Sequence, residues 1–305
     1  MHSARPVITV LIVGGARAPA LAIGLSGHVR SQIVTSLNCL TFLTDFGLED
    51  GFVAACHGVA ARIAPATRVI DITHLVPPGD VRRGAAVLAQ TVPAMPPAVH
   101  VAVVDPGVGT ARRAVAIEAK GGMLVGPDNG VLSWAIGALG GVIRAVLLTN
   151  DAVWNNPVAP TFHGRDIFMP VASHLATGTS LTEAGTEFDP GELVMLAAPT
   201  NRMLDREAEG EVLSVDRFGN VQLSIPSTAA ADLGIALGAP ITIRCNRREL
   251  TAPYVETFGS AAPGELIAFT DSAGLISLAV RGGNAAERLS LPPGARVRIA
   301  PGPAD

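Results

Sequence analysis

The sequence predicts an α/β protein of two unlike halves: an N-terminal, mainly parallel sheet with flanking helices, then a small antiparallel β-barrel-like domain. Three observations carry the prediction. From residue 40 to about 198, short apolar runs alternate with stretches of helical spacing, the pattern of a sheet covered by helices. A polar stretch, PTNRMLDREAEG, then interrupts that texture near residue 200. Beyond it EGEVLSVDRFGNVQLSI, PITIRC, ELIAFTD, LISLAV and ARVRIA follow at close spacing without a convincing helix, as in a small barrel or sandwich. The expected layout of the 305 residues is an N-terminal extension over 1–39, an α/β domain over 40–198 and a barrel-like domain over 199–305.

The elements follow in order. Residues 1–39 open with MHSARPVITVLIVGGARAPALA, a basic start and an apolar run that loosely resemble a secretion signal but are too short to span a bilayer; the segment is expected to be a dispensable extension. LTFLT is the first strand and leads into Asp45-Phe46-Gly47, and GFVAACHGVAARIA has helical spacing. TRVIDIT is the next strand, expected to end at Asp71 and His74, and after a Pro-Pro-Gly turn Asp80 can cap a helix over VRRGAAVLAQTV. HVAVVD fills both faces of a strand with β-branched residues and stops at Asp105-Pro106-Gly107. AVAIEAKGGMLVGPDNG is a hairpin closed near Gly121-Gly122, VLSWAIGAL a helix, VIRAVLLTN a strand, and Thr161–Asp166 opens the helix IFMPVASHLATG.

Composition excludes several functions. Net charge is −4 and the arginines are scattered, so the chain lacks a nucleic-acid or membrane-surface footprint. Lys120 is the only lysine, which removes Schiff-base and P-loop chemistry. Cys39, Cys56 and Cys245 are odd in number and lack a CxxC spacing, which fits buried reduced thiols in a cytoplasmic protein. No HExxH, Cys/His cluster or DxD pair is present, so no dedicated metal site is expected; GxGxxG, GxxxxGK[ST] and GxSxG are missing too.

What remains is polar. Asp45, Asp71 and Asp105 are each expected to close an apolar strand and so to line one rim, where ligands of open α/β sheets sit. Arg112 follows Asp105 by seven residues across two glycines, and His163 lies on a loop before a helix. Arg165 and Asp166 are expected to pair or to cap that helix. An isolated Asp or His in such places is usually a turn-former or a solvated side chain; together they outline a polar-ligand site. Asp216-Arg217-Phe218-Gly219-Asn220 is by itself an ordinary turn between strands.

Taken in order, LTDFG (Leu43 to Gly47), DITH (Asp71 to His74), VDPGVGTxR (Val104 to Arg112), GPDNG (Gly126 to Gly130), TFHGRD (Thr161 to Asp166), DRFGN (Asp216 to Asn220) and DSAGLISLAV (Asp271 to Val280) resemble the S-adenosyl-L-methionine (SAM) hydroxide adenosyltransferases, adenosine-forming SAM hydrolases related to the fluorinase and chlorinase. The resemblance covers about residues 40 to 300.

It implies attack of water on C5′ of SAM, giving adenosine and L-methionine with no cofactor, in a homotrimer whose active sites lie between one subunit's α/β domain and its neighbour's nucleoside-binding barrel. Asp105, Arg112 and His163 match the family's hydrolytic triad, with His163 expected as general base at an ordinary pKa of about 6.5. By the same carry-over Asp45 would hold the ribose, Asp216 the methionine ammonium, and Asn220 and Ser272 polar edges of the substrate. Asp50, His74, Ser277 and Val280 would complete the lining. Ser277, where many members carry Glu, and Gln222, where an aromatic is frequent, depart from the family pattern and bear on affinity rather than reaction type. The alternatives are a SAM- or nucleoside-binding regulator with negligible turnover, and a SAM-dependent halogenase.

Overall fold

The computed structural model describes residues 37–303. The N-terminal extension therefore lies outside the described residues, apart from its last three positions. The first half is built from β1 (Cys39–Thr44), α1 (Phe52–Ile63), β2 (Arg68–Thr73), α2 (Val81–Thr91), β3 (Val99–Val103), β4 (Ala114–Ala119), β5 (Gly122–Pro127), α3 (Ser133–Ala138), β6 (Val142–Leu148), α4 (Met169–Ala176), the one-turn α5 (Leu181–Ala184) and β7 (Gly185–Phe188).

The seven strands form one sheet in the order β2-β1-β3-β5-β4-β6-β7. The first three pairings, β2-β1, β1-β3 and β3-β5, are parallel. The β4–β5 hairpin then reverses direction, so the remaining pairings are antiparallel and the sheet is mixed. Asp80 caps α2 as its position suggests, accepting from Arg83 N at 2.9 Å.

Alternation along the central strands feeds two cores. Leu40 and Phe42 of β1 face a cluster with Val59 of α1 and Phe168, Val171 and Leu175. Leu43 faces another with Leu88 of α2 and Ala135 and Ile136 of α3. Burial on both faces explains why β1 and β3 are mostly apolar rather than alternating. Three polar side chains are buried with them, Thr41 and Thr44 of β1 and His100 of β3, and His100 Nδ1 lies 2.9 Å from Thr41 Oγ1.

The second half comprises β8 (Asn201–Met203), β9 (Ala208–Val215), β10 (Val221–Pro226), α6 (Thr228–Asp232), β11 (Pro240–Cys245), β12 (Arg248–Val255), β13 (Leu266–Thr270), β14 (Leu275–Val280), α7 (Ala285–Leu289) and β15 (Arg296–Pro301). Strands run β10-β14-β13-β12-β11-β15-β9, and the additional β9–β10 pairing closes a barrel, with β8 outside it on β9. All pairs are antiparallel except β12–β13. Leu223, Ile225, Ile243, Leu278 and Ile299 fill the interior.

Two expectations need correction. The barrel half does contain helices, α6 and α7; each is five residues long, too short for an apolar period to show. Asp71 does not close β2 but sits inside it, paired with Phe42, while Thr73 pairs with Leu43 after a register shift. Of the three, Asp45 follows directly on the carboxyl end of β1 and Asp105 lies two residues past that of β3. No helix among the described residues is long and apolar enough to cross a membrane.

Burial pushes the His100 pKa down from 6.5 to about 4. The folded chain therefore binds this proton less tightly than the unfolded chain, and folding free energy is lost as pH falls from about 6.5 towards about 4. Urea midpoints measured across that window should drop, at up to about 1.4 kcal/mol per pH unit from this group, and His100→Gln should flatten the slope. An unchanged slope in the variant contradicts the assignment.

Candidate active site

Asp105 lies two residues past the end of β3, in a turn held by Val108 N donating to its carbonyl at 3.2 Å. The loop returns through Gly109, at φ +76°, where a Cβ would stand 2.7 Å from the carbonyl oxygen of Pro160. Both the left-handed backbone and that close approach call for glycine. The contact has a consequence for the site: it lays the 105–112 loop against the 160–163 loop. Gly164 does the same on its other side, since a Cβ there would be 2.8 Å from Phe46 Cζ.

These approaches bring three side chains together. Arg112 Nε donates to Asp105 Oδ2 at 2.9 Å and Oδ1 at 3.1 Å, and Arg112 Nη2 to Oδ2 at 2.6 Å. The same Nη2 lies 2.8 Å from His163 Nδ1. Phe168 lies beneath, its ring centre 5.0 Å from the guanidinium carbon. The Asp105 side chain is only 5% exposed and that of Arg112 11%, so the pair is held in a low-dielectric setting.

An arginine can only donate, so His163 Nδ1 must be the acceptor and the neutral ring carries its proton on Nε2. Burial and the Arg112 charge lower the His163 pKa, outweighing Asp105 and Asp166, which raise it. The expected ordinary pKa is thus corrected: His163 is held neutral, as a donor through Nε2. Among the described residues, Arg112 Nη1 has no hydrogen-bond partner, and Asp105 Oδ1 takes only the longer Nε contact. The cluster therefore retains two donors, Arg112 Nη1 and His163 Nε2–H, and one partly engaged acceptor, Asp105 Oδ1, the kinds of group that hold a water molecule.

The frame around the triad is polar and closed. Asp166, fully buried, accepts from Arg165 Nε and Nη2 at 2.7 Å, Asn155 Nδ2 at 2.8 Å and Ala159 N at 2.9 Å. Burial acts to raise its pKa, but these donors outweigh burial and hold the carboxyl below its usual range. The Arg165–Asp166 pair expected from the sequence is present. Arg113 donates to Asp128 Oδ2 at 2.7 Å, and Asn129 Nδ2 to Val104 O at 2.8 Å, which ties GPDNG to the Asp105 strand.

The remaining candidates divide into two groups. Asp45 Oδ2 accepts from Gly79 N at 2.8 Å, and Asp50 is exposed just before α1. The His74 ring is 4% exposed and turned to Thr44, with Nδ1 2.9 Å from Thr44 Oγ1. Asp216, Asn220, Ser272, Ser277 and Val280 line a separate cleft of about 1000 Å³ between the barrel and α2, and none of Asp105, Arg112 and His163 lines it.

In that cleft Asp216 accepts from Phe218 N and Asn220 N at Oδ1 and from Asn220 Nδ2 at Oδ2. Ser277 Oγ and Gln222 Nε2 both donate to Asp271 Oδ2, at 2.9 and 2.7 Å. Asp271, Arg83 and Phe168 had no role assigned from sequence. For Asp271 the signal was there, since an Asp heads its motif, whereas nothing local marks Arg83 of α2 as facing the cleft.

An α/β sheet with a buried Asp-Arg-His constellation at its rim, joined to a closed barrel with its own polar cleft, defines a two-domain enzyme for a small polar substrate. The comparisons specify which. The SAM hydroxide adenosyltransferase N-terminal domain matches residues 40–185 and the C-terminal domain of that family residues 210–298. The chain belongs to the SAM hydroxide adenosyltransferase family. A Salinispora tropica protein named (R)-S-adenosyl-L-methionine hydrolase is 56% identical over 86% of this chain and 98% of its own length. The Thermus thermophilus protein of the same name is 40% identical over 85% and 98%. A fluorinase from Nocardia brasiliensis is more distant, at 26% over 85% and 96%. Among solved structures, a conserved uncharacterised protein from Thermotoga maritima superposes with a TM-score of 0.82 at 36% identity, over 86% of this chain and 99% of that one.

Gly109→Ala tests whether the loop approach builds the constellation. A left-handed alanine costs roughly 1–2 kcal/mol, and the Pro160 carbonyl must also move. We expect a folded protein with a lower melting temperature and loss of most turnover; full turnover at the lower melting temperature would separate the loop contact from the site.

Proposed function

We propose that this chain hydrolyses S-adenosyl-L-methionine to adenosine and L-methionine by SN2 attack of water or hydroxide on C5′. The carrying observation is the single guanidinium, Arg112, bound at once to Asp105 and His163. In this reading Arg112 Nη1 and the His163 Nε2–H hold the attacking oxygen, and Asp105 Oδ1 accepts the hydrogen bond of its proton. The proton leaves to solvent, the C5′–S bond breaks with its pair on sulfur, and methionine departs as a neutral thioether. Cationic Arg112 favours the anionic form of the water it holds. Alignment of the oxygen behind C5′ supplies a further several kcal/mol of the barrier reduction. His163 acts as a donor here rather than as the general base. No step calls for a metal or organic cofactor.

Asp45 is assigned to the ribose hydroxyls, with Asp50 and His74 near it, and Asp216, Asn220, Ser272, Ser277 and Val280 to the methionine and base. The sulfonium configuration follows the relatives, which are named for the R epimer, so both epimers should be assayed. Because the triad and the barrel cleft are separate in one chain, we assign the complete site to the junction of two subunits of a trimer, a ring built by one repeated heterologous contact. Three free buried cysteines fit a cytoplasmic setting.

Incubation with SAM, followed chromatographically, should release adenosine and methionine in equal amounts. Asp105→Ala, Arg112→Ala and His163→Ala should each lower that rate about 10²–10⁴-fold; binding of SAM without product in the unmutated protein would make it a sensor instead. Chloride should yield no 5′-chloro-5′-deoxyadenosine above trace. For the shared site, Arg112→Ala and Asp216→Ala subunits, each inactive alone, should regain activity when co-expressed. Mixed oligomers that stay inactive would place each site within one chain.

A further inference from the structure

Away from the triad, α1 and the edge strand β2 bring together two imidazoles and a carboxylate that the reaction does not use in common. His57 Nε2 lies 2.9 Å from Asp71 Oδ1, and His74 Nε2 lies 3.0 Å from the same oxygen. The three ligand atoms all fall within 4.8 Å of one another. His74 is 4% exposed, and its Nε2 has no hydrogen-bond partner: it approaches Asp71 from a direction in which an N–H would not point at the oxygen. A buried imidazole nitrogen left unpaired beside a carboxylate and a second imidazole needs an explanation.

We propose that His57, Asp71 and His74 bind one divalent first-row transition ion, zinc above all. Two imidazoles and a carboxylate are a donor set for such ions, whereas magnesium and calcium take oxygen ligands. With ligand bonds near 2.0–2.1 Å, two atoms on one tetrahedral ion stand about 3.3 Å apart, close to the separations from His57 and His74 to Asp71. A fourth position stays open to solvent on the side where Asp71 is exposed. Thr44 supplies the outer support: its Oγ1 accepts from Phe46 N at 3.1 Å and stands 2.9 Å from His74 Nδ1. A proton on Nδ1, donated to Thr44, leaves the Nε2 lone pair for the ion. The ion would pin α1 and β2 to the end of β1, directly before Asp45. Sequence spacing conceals such a site, because its ligands come from a helix, a mid-strand position and a turn.

The test uses the full chain, stripped with chelator and titrated with zinc and, separately, cobalt(II). We expect one zinc per chain, a melting temperature that rises with zinc, and visible d–d bands of tetrahedral strength with cobalt. His57→Ala and the shape-preserving Asp71→Asn should each weaken zinc binding at least 10-fold and remove the melting shift, with unchanged circular dichroism in the metal-free form. Failure of the unmutated protein to take up stoichiometric metal, or uptake that both variants retain, overturns the site; the three residues would then share protons rather than an ion. Loss of SAM turnover in other assays would not bear on this outcome.

Discussion

The α/β half depends on one guanidinium having two partners. Arg112 is gripped on one edge by Asp105 and leans on His163 with the other, while Phe168 carries its flat face. A buried ion pair of this kind is poor evidence for stability, because desolvation offsets the attraction between the charges. Its value lies in orientation. The carboxylate fixes the guanidinium plane; the guanidinium then fixes which nitrogen of His163 carries the proton. Other features keep that chain of constraints intact. Gly109 and Gly164 permit two loops to approach without a Cβ between them, and Asp166 closes the 155–166 loop by taking four donated hydrogen bonds. Asn129 and the Arg113–Asp128 pair hold the strand end from behind.

The barrel contributes a different kind of order. Its cleft is lined by short polar side chains that mostly satisfy one another: Asp216 with its own turn, and Ser277 and Gln222 on Asp271. Gln90 of α2 also donates to Gln222 at 2.8 Å, so the α/β half already touches this network within one chain. Ser277 and Gln222, the two departures from the family pattern, thus converge on a single carboxylate oxygen. Both are neutral here, a hydroxyl and an amide that donate to Asp271.

Much of this was legible in the residues. The central strands announce themselves as apolar runs because both of their faces are covered, and the β4–β5 hairpin because Gly121-Gly122 marks its turn. Asp105, Arg112 and His163 were singled out through the family resemblance of their motifs, and the structure brings the three side chains together. Other parts were not legible for physical reasons. Asp71 follows the apolar pair Val69-Ile70 and looks terminal, yet an edge strand tolerates a polar side chain on its open face, so β2 continues to Thr73. Helices of five residues carry no period. The depressed pKa of His163 comes first from burial and then from Arg112, and its tautomer from that same neighbour 51 residues away, so local sequence could assign it only an ordinary basicity.

The same geometry bears on why water, and not halide, suits this site. A halide ion needs only donors and a dry cavity; it has no proton to lose. Water as a nucleophile needs donors for its oxygen lone pairs and an acceptor for the proton it sheds. Arg112 and neutral His163 could serve either nucleophile, so neither residue discriminates between them. Asp105 does. In the proposed arrangement its carboxylate, engaged by Arg112 yet with acceptor capacity left on Oδ1, takes the hydrogen bond of a water proton, whereas a halide beside it would gain no hydrogen bond and would feel the negative end of the ion pair. The distance between hydrolase and fluorinase relatives, 56% against 26% identity, runs in the same direction. Specificity in the proposed reaction therefore rests on the acceptor within the triad, and a chain that retained the arginine and the imidazole while losing this carboxylate would lose its preference for water before it lost its capacity to hold an anion.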